Sequence, residues 1–261
     1  MYGFTNWDQV AQDGFGGIDS RNNHSATNSD LINSWNVQET TKAAYAMTRF
    51  TSEWFGVDFT GNAGLRIVNT RSTSAGYQNN NGNYQPISVD HSYTEWLPSL
   101  NLNFALDEIT QLRVGVSRAM SRPPLVEMRT GFDINTQSAV KTASGGNPAL
   151  DPCVANQLGV GLEFYWQDET ALTASVFFKD LKSHIGSASG TLELEGEQYA
   201  FTGPVNGQGG LIKGFELMYQ APFKGLPAPF DGLGVYTNYS FTDSNVMEFI
   251  PVNNPLTLGG L

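Results

Sequence analysis

Few residues in this 261-residue chain have the type and spacing to carry out bond chemistry. His24, His91 and His184 are too scattered for any two to share a metal at a known ligand spacing. Asp19, Asp30, Asp133 and Asp151 stand singly, without the Asp-x-Asp-x-Asp run of a calcium loop. No Gly-x-Ser-x-Gly elbow presents a serine nucleophile. Cys153 is the single cysteine, so no intrachain disulfide forms, and it reads as a small half-buried thiol. The residues thus point to no catalytic set, no metal and no cofactor. What remains is binding chemistry. Arg118 and Arg122 close one alternating segment, and Arg129 and Asp133 lie in the polar stretch after it. Guanidinium groups there could hold a polar solute or simply pair with carboxylates. Tyr77, Tyr84, Tyr93 and Phe132 lie in or beside polar, loop-like stretches, where rings could stack on sugars or merely pack the loops.

The elements that would position these groups alternate apolar with small or polar residues. Trp96, Leu100, Leu102, Phe104 and Leu106 share one parity, and Glu95, Ser99, Asn101 and Asn103 the other. Leu158, Val160, Leu162, Phe164 and Trp166 oppose Gly159, Gly161, Glu163 and Tyr165. Leu172, Ala174, Val176 and Phe178 oppose Thr173, Ser175 and Lys179, and Leu233, Val235, Tyr239 and Phe241 oppose Gly234, Asn238 and Ser240. A strand sends successive side chains to opposite faces, so each segment has a greasy and a wet face. About eight long strands are predicted, over 35–50, 58–74, 88–105, 109–121, 154–166, 170–185, 207–221 and 232–244. Connections near 51–57, 106–108, 167–169 and 222–231 are short. Those near 75–87, 122–153, 186–206 and 245–256 are long, with a small hairpin expected at 191–202. Residues 1–34 read as a polar loop.

The fold class is therefore all-β, and the choice lies in where the greasy faces go. A soluble sandwich hides them between sheets. A membrane barrel turns them to lipid, needs only about 10 residues per strand, and alternates short periplasmic turns with long outer loops. No run is long enough for a membrane helix. Strands this long favour the barrel, since soluble strands average about 5–6 residues. Trp96, Phe164, Trp166 and Tyr239 could form aromatic rims. A charge facing lipid would cost about 2–4 kcal/mol, which places Arg66, Arg113 and Lys179 on the lumen side. The net charge of −11 argues against nucleic acid as a partner. Met1-Tyr2-Gly3-Phe4 opens no signal peptide, so a barrel reading expects the natural N-terminus to lie upstream.

Four stretches, in order, resemble the barrel of TonB-dependent outer-membrane receptors. Glu95-Trp96-Leu97-Pro98-Ser99-Leu100-Asn101-Leu102 is similar to the family's "LPSLNL" strand, and Ser121-Arg122-Pro123 to its "RP" strand end. Gly145-Gly146-Asn147-Pro148-Ala149-Leu150-Asp151-Pro152 resembles the "GNP-L-P" loop, which leads to Glu163-Phe164-Tyr165-Trp166 in the place of "EWY". Ala174-Ser175-Val176-Phe177-Phe178-Lys179-Asp180-Leu181-Lys182 resembles "FYKDIK". Ile212-Lys213-Gly214-Phe215-Glu216-Leu217 matches "IKGFEL", followed by an "NYS" strand at Asn238-Tyr239-Ser240. The branch most resembled is that of Caulobacter- and Xanthomonas-like bacteria, many of whose members are thought to import oligosaccharides. The resemblance implies a 22-stranded barrel around a plug, with outer-membrane lipid, a small solute and, through the plug, the TonB complex as partners. It implies that residues 1–261 are a partial barrel domain in the bacterial outer membrane, without the plug or the remaining strands. Tyr77, Tyr84, Tyr93, Arg118, Arg122, Arg129, Phe132 and Asp133 would then line the mouth and lumen. An oligosaccharide is the favoured solute and an iron siderophore the second. A soluble all-β carbohydrate-binding module is the alternative. An enzyme in a small closed barrel would need a Ser/His/acid cluster at the rim, which the sequence does not show.

Overall fold

The computed structural model describes residues 33–80, 83–136, 140–194, 197–246 and 249–251. His24, Asp19, Asp30 and most of the expected N-terminal loop lie outside the described residues. Eight long strands form an antiparallel meander: β1 (Asn36–Trp54), β2 (Val57–Asn80), β3 (Asn83–Ala105), β4 (Thr110–Ser121), β7 (Cys153–Gln167), β8 (Thr170–Leu194), β9 (Glu197–Pro222) and β10 (Gly234–Ser244). Three short strands are added at one end: β5 (Phe132–Asn135), β6 (Thr142–Gly145) and β11 (Phe249–Pro251). Tight turns join β1 to β2, β3 to β4 and β7 to β8, whereas β4 reaches its neighbour β7 through a long connection. Phe55 and Gly56 both take positive φ, 51° and 78°, which suits the two-residue hairpin between β1 and β2.

At the β3–β4 turn, Asp107 accepts hydrogen bonds from the backbone N–H groups of Ile109 (2.9 Å) and Thr110 (2.8 Å). These bonds favour the ionised carboxylate and hold its pKa below the ordinary aspartate range. A lowered folded-state pKa stabilises the fold above the unfolded-state pKa, and that contribution is lost as the pH falls through the folded one. In Asp107→Asn the amide oxygen still accepts but does not titrate. The acid-induced loss of thermal stability should therefore be shallower in this variant than in the parent, as a melting series below neutral pH would show.

The register sets one apolar face across the wall. Gly61, Leu102, Val114, Val160, Val176, Phe215 and Phe241 form one continuous cross-strand row, and Ala63, Leu100, Val116, Leu158 and Phe178 the next. Among the described residues no second sheet covers these rows. Trp96, Val116, Val176, Phe178, Leu217 and Phe241 are all more than two-fifths exposed. That argues against the sandwich, whose apolar faces are buried. The turn end of this face carries an aromatic belt: Phe50 meets Phe59 edge-on, Phe59 stacks on Phe104 at 5.3 Å, and Trp166 stacks on Tyr219. The opposite, concave face carries Asn62, Asn101, Arg113, Glu163, Ser175 and Glu216 around a pocket of about 900 Å³.

Two expected loops are strands instead. Residues 75–80 and 83–87 continue β2 and β3, and 186–194 and 197–206 continue β8 and β9, far beyond the apolar band. The expected hairpin at 191–202 is the tip of the latter. The connection after β4 is long, as expected, but it is built. Its hairpin β5–β6 pairs in parallel with β2 at Asn79–Asp133 and with β9 at Thr142–Ala200. Hydrogen bonding thus closes a ring at this end through β2, β3, β4, β7, β8, β9, β6 and β5. Beneath the connection, Met128, Leu150, Phe201, Ala188 and Ala143 form a small apolar core, all at most 2 % exposed. At the other end β1 and β10 do not pair with each other among the described residues, so the wall itself stays open.

Candidate functional site

Alternation places every second residue of β1, β2 and β3 on the concave face, and the register aligns them in rows. Above the apolar band these rows read Ala43–Val68–Glu95, Thr41–Thr70–Tyr93 and Glu39–Ser72–His91. Four of these nine residues carry hydroxyl groups, two are carboxylates and one is an imidazole. The connection after β4 is tethered around this lattice at both ends. Arg122 donates to Thr41 Oγ1 at 2.8 Å and pairs with Glu39 at 3.2 Å. Arg118 pairs with Glu95 at 3.0 Å. At the far end, Asp151 lies 2.9 Å from His91 Nε2. Asp151 also exchanges two 2.8 Å backbone bonds with the side chain of Asn206 on β9.

Arg118 and Arg122 thus each face a carboxylate, so neither adds unpaired positive charge beside the lattice. Deeper in the concave face, Arg113 pairs with Glu163 at 2.9 Å, and Asn101 donates to Asn62 at 3.0 Å. Phe177 is a further aromatic on this side, with Lys179 Nζ 5.6 Å from its ring centre, over the bare backbone of Gly214. Arg113 is half exposed, whereas its partner Glu163 is largely covered, so removing the guanidinium leaves a part-buried carboxylate with less support. Arg113→Ala should therefore lower the melting temperature, and Arg113→Ala combined with Glu163→Gln should restore part of it, as thermal melts would show.

The structure brings Tyr93, Arg118 and Arg122 together in this lattice and its frame. It places the other sequence candidates elsewhere. Tyr77 and Tyr84 have the parity of Leu65 and Ile67, so they lie on the convex side near the β2–β3 tip. Arg129 bonds the carbonyl of Val126 within its own connection, and Asp133 accepts from Asn79 at the tip. Phe132 lies in β5, and its side chain is outside the described residues. Glu39, Thr41 and Thr70 escaped the sequence reading, and His91 and Asp151 read there as single groups, because the partners are remote in the chain, Arg122 lying 81 positions from Thr41 and further from Glu39. Counting by twos from Tyr93 would have put His91 and Glu95 beside it. Among the described residues no group of three or more His, Cys, Asp or Glu is placed to hold a metal.

Comparison with protein families matches residues 1–259 to the model described as TonB dependent receptor-like, beta-barrel. No curated protein matches the chain. Among solved structures, the ferric enterobactin receptor of Pseudomonas aeruginosa is 17% identical, with 78% of this chain and 36% of that one covered and a TM-score of 0.47. The siderophore receptor PirA of Acinetobacter baumannii is 16% identical, with coverage of 72% and 35% and a TM-score of 0.41. The ferric-catecholate import receptor Fiu of K12 E. coli is 16% identical, with coverage of 73% and 26% and a TM-score of 0.44. The chain spans about a third of the length of the first of these receptors.

Proposed function

The chain belongs to the TonB-dependent receptor β-barrel family of the bacterial outer membrane, and from that premise we propose that it forms part of the wall and mouth of a receptor for a neutral oligosaccharide. The convex apolar band meets outer-membrane lipid in this reading, and the hydroxyl lattice faces the incoming solute. The family's members are transporters rather than enzymes, and the parent receptor would draw on the TonB complex through a plug domain. Residues 1–261 supply a partial barrel domain, since eight wall strands leave β1 and β10 each with one partner among the described residues. The order of the "LPSLNL", "GNP", "FYKD" and "IKGFEL"-like motifs supports the Caulobacter- and Xanthomonas-like branch.

The observation that carries the choice of solute is charge balance at the mouth. A ferric catecholate complex is anionic and calls for unpaired cations, whereas Arg118 and Arg122 are both spent on Glu95 and Glu39. A neutral sugar asks for hydroxyl, carboxylate and guanidinium partners, together with an aromatic ring, here Tyr93. Cells carrying the receptor that contains this segment should accumulate a fluorescent neutral oligosaccharide only while the TonB system is energised. Accumulation of a ferric siderophore instead, with no sugar uptake, would overturn the reading.

A further inference from the structure

The convex face of β1, β2 and β3 changes character twice along its length. Its last apolar row is Ala44–Ile67–Trp96. Polar rows follow: Lys42–Asn69–Thr94, Thr40–Arg71–Ser92 and Gln38–Thr73–Asp90. The face ends at Asn36–Ala75–Ser88 and Tyr77–Pro86. The apolar band thus stops at Trp96, which is 56% exposed. Above it, Arg71 pairs with Asp90 at 3.0 Å, and Asn69 donates to Thr94 Oγ1 at 2.9 Å. At the top lies a cavity of about 700 Å³, with Trp35, Asn36, Tyr77, Pro86 and Ser88 in its lining. Among the described residues, none that lines it carries a carboxylate, ammonium, guanidinium or imidazole group. Tyr77 is half-buried and Trp35 is 39% exposed, so aromatic surface stays open within the groove. Roughly ten residues of β3 separate Trp96 from Pro86. At about 3.4 Å each and a strand tilt of about 40°, they raise the groove on the order of 25 Å above the edge of the band.

We propose that this groove binds a neutral sugar ring in the sugar chain of a glycolipid of the surrounding outer leaflet. Aromatic rings offer a flat apolar face for the ring carbons, and the amide and hydroxyl groups beside them match the sugar hydroxyls. Without a cation the groove has nothing to hold a phosphate. Its height is beyond the reach of a simple phospholipid headgroup. It also faces away from the path of the imported solute, so a chain rising from neighbouring glycolipids is what meets it. Anchoring keeps that chain at high effective concentration, which suits an open groove. The inference rests on the outer-membrane barrel and not on the choice of solute, so failure of the oligosaccharide-uptake reading leaves it untouched.

The test titrates the receptor that carries this segment, in detergent, with two lipopolysaccharides, and reads binding by calorimetry. One bears a neutral outer sugar chain, and the other is a deep-rough form without it. The variants are Trp35→Ala, Tyr77→Ala and, to keep an apolar body at the β2–β3 tip, Tyr77→Leu. All three lie outside the membrane rows, so heat-modifiable mobility should be kept. The parent should bind the full-chain form about ten-fold more tightly than the deep-rough one, and each variant should erase most of that preference. Equal binding of the two forms by the parent, or an undiminished preference in the variants, would overturn the site. The third probe is the same sugar chain released from its lipid. Weaker binding of the released chain supports the membrane source. Binding as tight as that of the anchored form would overturn that source and assign the groove to a soluble sugar.

Discussion

Val176→Arg should prevent the chain's parent barrel from assembling in the membrane, whereas Ser175→Arg, one residue earlier, should be tolerated. Val176 sits in the middle of the convex apolar row, between Val160 on β7 and Phe215 on β9, and is 43% exposed. If that row faces lipid, an arginine there costs about 2–4 kcal/mol at mid-bilayer. Ser175 has the opposite parity, across from Glu216 and Gly161. An arginine at 175 would find a carboxylate beside it and an open space over the glycine. The readout is heat-modifiable mobility of the membrane fraction, in which folded barrels migrate apart from unfolded chain. Equal folding of both variants would show that neither face meets lipid.

The second large effect is expected at Gly146. It is buried, and a Cβ built there would lie 2.4 Å from the carbonyl oxygen of Arg129 and 2.8 Å from that of Glu127. Backbone cannot yield as a side-chain tip does, so Gly146→Ala must push the connection apart. The neighbouring Asn147 donates its N–H to that same Glu127 carbonyl at 2.7 Å, and its side chain reaches the carbonyl of Pro204 on β9. Loss of this seat would unpack Leu150 and Met128 and slacken the Asp151–His91 tether. Overpacking of this kind typically costs about 1–3 kcal/mol. Because the transmembrane rows lie elsewhere, the cost should fall on the mouth. Limited proteolysis should cut within 122–150 in the variant and not in the parent, while heat-modifiable mobility is kept. Loss of both together would mean that the mouth and wall fold as one unit.

The wall was legible in the sequence because alternation there is strict and one face is apolar. The ends of β4 and β10 fall within one or two residues of the expected ones. Legibility fails where that apolar contrast fades. Gln78-Asn79-Asn80 and Gly186-Ser187-Ala188-Ser189-Gly190 read as loops by composition, yet both are paired strand. Above the band neither face needs to be greasy, so a strand there has no hydrophobic period to show. The same gap explains the site. Composition puts Tyr77 and Tyr84 in a loop, as aromatics of the mouth, whereas continuous pairing carries the parity of Leu65 through to Tyr77 and turns it outward. Arg122 was found, but its partners Glu39 and Thr41 are supplied by register and by the path of the chain, which composition does not encode. The strongest sequence signal for the connection was Gly145-Gly146-Asn147-Pro148. Its meaning, a crowded glycine and an asparagine clamp, emerges only from the packing.

The central claim is that one face of this wall meets lipid and the other meets the aqueous path of the solute. Nitroxide labels at Ala174, Ser175, Val176 and Phe177, placed one at a time in a Cys153→Ser background and read in reconstituted membranes, test it most directly. Labels at 174 and 176 should collide mainly with lipid-soluble oxygen, and those at 175 and 177 with a water-soluble nickel chelate. Water exposure at all four positions, or oxygen contact in the opposite phase, would contradict it.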